Sequence, residues 1–152
     1  MELTKEIMVN APADKVWKIV GADFNEISEW SSFVITSEQN PGLPDGGGRV
    51  CDVKGFGETV ETLYEYDDEQ RELAFTLEGG GTPFFMREVK NSWHIEPDGE
   101  DKSRVQIGVQ AELMPVFKQL MTGRLTKVME KRADVILGEL KYFAENGEAK
   151  QS

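Results

Sequence analysis

PVFKQLMTGRLTKVMEKRADVILGELKYFAEN, residues Pro115 to Asn146, is the stretch that decides the fold. Phe117, Met121, Leu125, Val128, Ile136, Leu140 and Phe143 recur every three, four or eight residues, tracking one helix face, and Arg132 is the single polar break in the stripe. Pro115 stands where a first helical turn tolerates proline, and Gly147 stands just past the end. One long amphipathic helix is expected. A sheet that meets only this helix must curve around it to bury its apolar face, and such a geometry leaves a space between the two.

Working back from the helix, residues 103–113 show the cleanest alternation. Val105, Ile107, Val109, Ala111 and Leu113 share one face, while Arg104, Gln106, Gln110 and Glu112 share the other. That is a strand with one buried face, as antiparallel sheets allow. Further strands are expected at about 49–54, 58–67, 71–78 and 83–96. Short turns join them, among them Gly55-Phe56-Gly57 and Asp67-Asp68-Glu69-Gln70. The glycine- and proline-rich run Asn40 to Gly48 reads as a long loop, and Phe33 to Ser37 as a strand before it. At the other end, residues 2–10 alternate as a strand. Pro12 then opens a short helix with Val16, Trp17 and Val20 inward, and Asp23 with Glu26 fits a capping box for a second short helix ending near Trp30. The order is strand, two short helices, six strands, long helix, which implies an antiparallel α+β sheet in one domain spanning residues 1–152. Glu148 to Ser152 are expected to fray.

Composition excludes several classes. The 152 residues carry 17 Lys/Arg against 28 Asp/Glu, a net charge of −11, the wrong sign for a phosphate-binding surface. No nucleic-acid partner is expected. The acid is concentrated ahead of the long helix, in Glu58, Glu61, Glu65, Asp67, Asp68, Glu69 and Glu72, which read as a solvated strand face and turn. Cys51 is the single cysteine, so no internal disulfide forms and a reducing compartment is permitted. The first residues lack the basic start and apolar run of a signal peptide, and no stretch is apolar for the ~18 residues of a membrane span. A cytoplasmic location is the default expectation.

Catalytic signatures are missing. No phosphate-binding loop is present, and the glycine triplets at 46–48 and 79–81 read as loops. One histidine and one cysteine do not assemble a His/Cys-rich zinc site, so neither metal nor cofactor is expected. A Cys51–His94 nucleophile pair is disfavoured because strand phase turns His94 away from the face of Trp93 and Ile95.

The segment 83–96 is more informative. The phase of Val89, Trp93 and Ile95 also contains Phe85, Arg87 and Asn91, placing an arginine and an amide on an apolar face. Arg87 there needs a carboxylate such as Glu61, a route to solvent, or a ligand. Candidate walls of a pocket are Trp30, Phe33, Phe56, Tyr64, Tyr66, Phe75, Leu77, Phe85, Trp93, Met121, Leu125 and Met129, with Arg87 and Asn91 as polar anchors. Phe56, at a glycine-flanked hairpin tip, would cover the mouth of such a pocket.

The run Ala11-Pro12-Ala13-Asp14-Lys15-Val16-Trp17, followed by Asp23-Phe24 and Trp30, resembles the opening of the START-like (SRPBCC) superfamily. It is most similar to the polyketide cyclase/dehydrase-like branch. Gly48-Arg49-Val50, Glu61 with Leu63, and Tyr66-Asp67-Asp68 with Arg71 match the same habit, and the resemblance covers about residues 3–145. It implies a helix-grip fold: a seven-stranded antiparallel sheet wrapped around a long C-terminal helix, with two short helices between strands 1 and 2. It also implies a cavity for a hydrophobic small molecule such as a lipid, isoprenoid or polyketide-like compound. The superfamily has no universal catalytic residue, so none is carried over; its Rieske-type oxygenase members use two metal-binding histidines, and this chain has one. Three readings stand: a binder of such a ligand, a cyclase or dehydratase using Arg87 with Tyr64, Tyr66 or Glu61, and an interaction module with an acidic surface.

Overall fold

The structure, a computed structural model, describes residues 1–150. Strand β1 (Glu2–Val9) is followed by helix α1 (Ala13–Trp17), a wider turn over Lys18–Ala22 and a 3-10 helix over Phe24–Glu29. Then come β2 (Val34–Gln39), β3 (Gly48–Val53), β4 (Gly57–Asp67), β5 (Glu72–Gly79), β6 (Met86–Pro97), β7 (Ser103–Leu113) and helix α2 (Pro115–Asn146). The seven strands form one antiparallel sheet in the order β1-β7-β6-β5-β4-β3-β2, curved around α2 in a helix-grip fold. Residues 148–150 are exposed and irregular; the fraying expected over Glu148–Ser152 otherwise falls at residues 151–152, outside the described residues.

Local physics explains most boundaries. Met114 is extended ahead of Pro115, whose fixed φ starts the helix, and Gly147 ends it in a left-handed conformation with its N–H on the Phe143 carbonyl. The capping box expected at Asp23 does not form. The Asp23 carboxylate instead accepts a 2.6 Å bond from Lys18 Nζ, and the segment after it winds as a tight 3-10 turn. β6 begins at Met86, not at residue 83, because Pro83, Phe84 and Phe85 belong to the loop before it.

The first helical segment is pinned across the β4–β5 turn. Trp17 Nε1 donates to Asp68 at 2.7 Å, Arg71 pairs with Asp14 at 2.8 Å, and the Trp17 ring rests 5.3 Å from that of Tyr66. Behind this clasp lies the core, where Val16, Leu73, Ile95, Val105 and Leu140 are buried together. Full burial of one such side chain contributes about 1.5–3 kcal/mol.

Helix α2 is packed unevenly. Its buried residues are Ala133, Leu137, Glu139, Leu140 and Ala144, all in the C-terminal half. The N-terminal half is held by an aromatic contact, Phe117 stacked on Phe85 at 4.8 Å, and leaves Val116 and Leu120 exposed. No helix among the described residues is long and apolar enough to cross a membrane.

Candidate functional site

A cavity of about 270 Å³ lies between the sheet and α2, where the helix has left the core. The sheet supplies Phe75 and Leu77 from β5, Val89, Asn91 and Trp93 from β6, and Ile107 and Val109 from β7. Strand register places these together: Leu77 faces Val89, Phe75 faces Asn91, and Asn91 faces Val109. Helix α2 closes the other side with Leu125, Val128, Met129, Arg132 and Ile136. Phe33, Phe56 and the loop residues Thr82 and Pro83 complete the wall.

Phe56 occupies the tip of the β3–β4 hairpin between Gly55 and Gly57, whose φ angles of +80° and +78° suit glycine. Its ring fits against Gly81, where a Cβ would fall within 2.3 Å of the ring. The two loops therefore mesh at the cavity, and the glycine is what allows the contact.

A buried ion pair opens on the same space. Arg49 of β3 and Glu61 of β4 are register partners, both almost fully buried, and Arg49 Nε donates to Glu61 Oε2. Arg49 Nη1 donates to the Phe24 carbonyl, and the guanidinium lies 3.7 Å from the centroid of the Phe24 ring. Cys51, two residues along β3, reaches Glu61 Oε2 at 3.6 Å. Burial, reinforced by the Glu61 charge, pushes the Cys51 thiol up to about 12, which leaves it a poor nucleophile. His94 points to the outer face, toward Glu72 and Glu96 at 3.5 and 3.7 Å.

Arg132 is the second arginine on the wall. Its guanidinium lies over the Phe56 ring at 4.2 Å and the Phe33 ring at 5.1 Å. Burial lowers its pKa from the usual arginine value.

Of the residues singled out in the sequence, Phe33, Phe56, Phe75, Leu77, Asn91, Trp93, Leu125 and Met129 line this cavity. The others lie elsewhere. Arg87 is exposed because β6 carries a bulge between Met86 and Glu88, which reverses its expected phase. Tyr64 sits at a second bulge in β4, is exposed, and holds Lys90 over its ring at 5.5 Å. Tyr66 is at the far end of β4 beneath Trp17. Phe85 belongs to the cluster with Phe84 and Phe117, and Met121 lies one turn beyond the last lining residue of α2. Trp30 is buried behind the wall, edge-on to Trp93 at 6.4 Å. The acidic run is outward at Glu58, Glu65, Asp67, Asp68 and Glu69, whereas Glu61, grouped with them on sequence, is buried. Arg49 was not among the candidates, although it shares the phase of Cys51 and Val53 on β3.

A curved antiparallel sheet gripping one long C-terminal helix defines the helix-grip class of fold. The chain belongs to the family described as polyketide cyclase / dehydrase and lipid transport, which matches residues 1–143. Among solved structures it is similar to XoxI from Bacillus cereus, with 16% identity, a TM-score of 0.76, and 95% and 96% of the two chains covered. It is also similar to the ZhuI aromatase/cyclase from Streptomyces sp. R1128, with 16% identity, a TM-score of 0.74, and 95% and 93% covered. The truncated norcoclaurine synthase from Thalictrum flavum gives 18% identity, a TM-score of 0.69, and 96% and 94% covered. At these identities the likeness speaks for the fold alone. No protein of curated function matches the sequence.

Proposed function

We propose that the protein binds a hydrophobic small molecule, a lipid, isoprenoid or polyketide-like compound, in the cavity between the sheet and α2. The observation that carries this is the cavity itself, about 270 Å³ with a wall of aliphatic and aromatic side chains interrupted by a few polar groups. That is the composition of ligand sites, and the volume lies just under the low end of their usual range of about 300–1,000 Å³. A filled core needs no such space, because interiors pack like organic crystals. Family membership supports the same reading. Phe56 and its mesh with Gly81 would shield the ligand from water. Titration with the neutral dye Nile red tests it: saturable fluorescence that a lipid panel displaces is expected, and no saturable binding of dye or lipids overturns it.

One observation favours a second reading, a cyclase or dehydratase acting on a polyketide-like chain. The Arg49 guanidinium and the Glu61 carboxylate both border the cavity, so a folded substrate would meet a fixed, mutually neutralised polar pair able to hydrogen-bond and orient its oxygens. Turnover of a short poly-β-ketone thioester mimic, followed by mass spectrometry, tests it. A bound but unchanged mimic rejects it.

A further inference from the structure

We propose that Arg132 is the anchor for a carboxylate, so that the ligand is an apolar molecule bearing one carboxylate group; this rests on the binding reading above. The cavity wall is unbalanced in charge. It carries two arginines, Arg49 and Arg132, and one carboxylate, Glu61, which Arg49 already holds. In a chain of net charge −11, the wall of the cavity is net positive by one.

Arg132 has no counter-ion within its own helix. Its neighbours at three and four residues on either side are Val128, Met129, Val135 and Ile136, all apolar, so no intrahelical ion pair can form. Glu139, two turns along, is buried; its Oε2 accepts the Ser32 N–H at 3.0 Å and its Oε1 has no partner, yet it forms no ion pair with Arg132. Among the described residues no carboxylate lies within ion-pair distance of Arg132. What meets the guanidinium is the two aromatic rings of Phe33 and Phe56. Rings stabilise the cation through their faces but accept none of its in-plane N–H donors.

A half-buried guanidinium with its donors free and its faces covered is suited to a planar, bidentate acceptor. Carboxylate matches that fork. Arginine here also explains the polar break in an otherwise apolar helix stripe, where leucine would have packed at no electrostatic cost. The depressed pKa of Arg132 agrees with a charge that lacks a partner.

The test compares dodecanoate with dodecanol, equal in chain length and differing in the head group, by displacement of Nile red. The wild-type chain is expected to bind dodecanoate roughly tenfold or more tightly than dodecanol, the value of one charge-assisted hydrogen-bonded contact. Arg132→Gln should bring the two within about threefold, and Arg132→Lys should keep part of the preference. Equal binding of both by the wild type, or a preference that survives Arg132→Gln, overturns the anchor and leaves the binding reading intact. If the wild type binds neither molecule nor the dye, both readings fall.

Discussion

Arg49 and Glu61 stand directly opposite each other on adjacent strands, and their side chains meet inside the protein at the edge of the cavity. The pair is more than an isolated contact, because the same guanidinium also satisfies the Phe24 carbonyl and covers the Phe24 ring. It thereby ties the 3-10 helix to the sheet. Removing one partner leaves the other charged and buried. Arg49→Met and Glu61→Leu are each expected to cost about 3–5 kcal/mol, and the double variant clearly less than the sum. Chemical denaturation of the four proteins checks this; additive losses would show that the pair is not coupled.

Cys51 gives a prediction on pH. Its thiol is raised from the ordinary 9.0 to about 12, chiefly by burial. Above pH 9 the unfolded chain releases a proton that the folded chain keeps. The contribution of Cys51 is thus fully present below pH 9 and is lost as pH rises toward 12. In the folded protein at pH 8 a thiol reagent should label Cys51 no faster than the chain unfolds. Fast labelling under native conditions would contradict its placement beside Glu61.

Val109→Phe asks whether the cavity is real space. Val109 is buried on β7 and lines the cavity opposite Asn91. Adding bulk to a filled core costs about 1–3 kcal/mol, but growth into existing space should cost less than about 1 kcal/mol. Nile red affinity should fall at least roughly tenfold, or 1.4 kcal/mol. Stability and binding measured on the same variant decide it.

The mesh of Phe56 with Gly81 sets a kinetic expectation. Gly81→Ala places a methyl group where the Phe56 ring now lies, so the two loops must part. Phe56→Ala removes the cover outright. Both should speed dye release on the order of tenfold in stopped-flow experiments, with a smaller change in association. Unchanged release would mean that the dye leaves by another route.

Most of the architecture was legible in the chain because periodicity survives folding. The alternation of Val105 to Leu113 reports one buried face, whereas of the stripe from Phe117 to Phe143 only Leu140 is buried, because α2 seats itself on the sheet through Ala133, Leu137, Leu140 and Ala144 and turns much of the stripe to the cavity; the order of elements is legible all the same. Polar residues inside were harder to read. Simple alternation points Arg87 inward, but a single extra residue at the bulge turns it out. Arg49 and Glu61 have the phase of buried residues when each strand is read alone. Only the β3–β4 register shows that they neutralise each other. Arg132 was visible as a break in the helix stripe, yet its meaning needed the position of Phe56, which belongs to a distant hairpin.

The strand order carries a consequence for how this container comes into being. β1, the first strand made, pairs only with β7, so that Glu2 waits for Gln110, and it also backs the last helix, where Lys5 meets Asp134 at 3.1 Å. Contacts this distant in sequence form slowly and late. On the ribosome the six strands from β2 to β7 can pair in turn as they emerge, while β1 stays an unmatched edge until β7 has emerged. The enclosed space has no partial version: it exists only after synthesis has reached the last helix, and any ligand must enter a finished protein or be present as it closes.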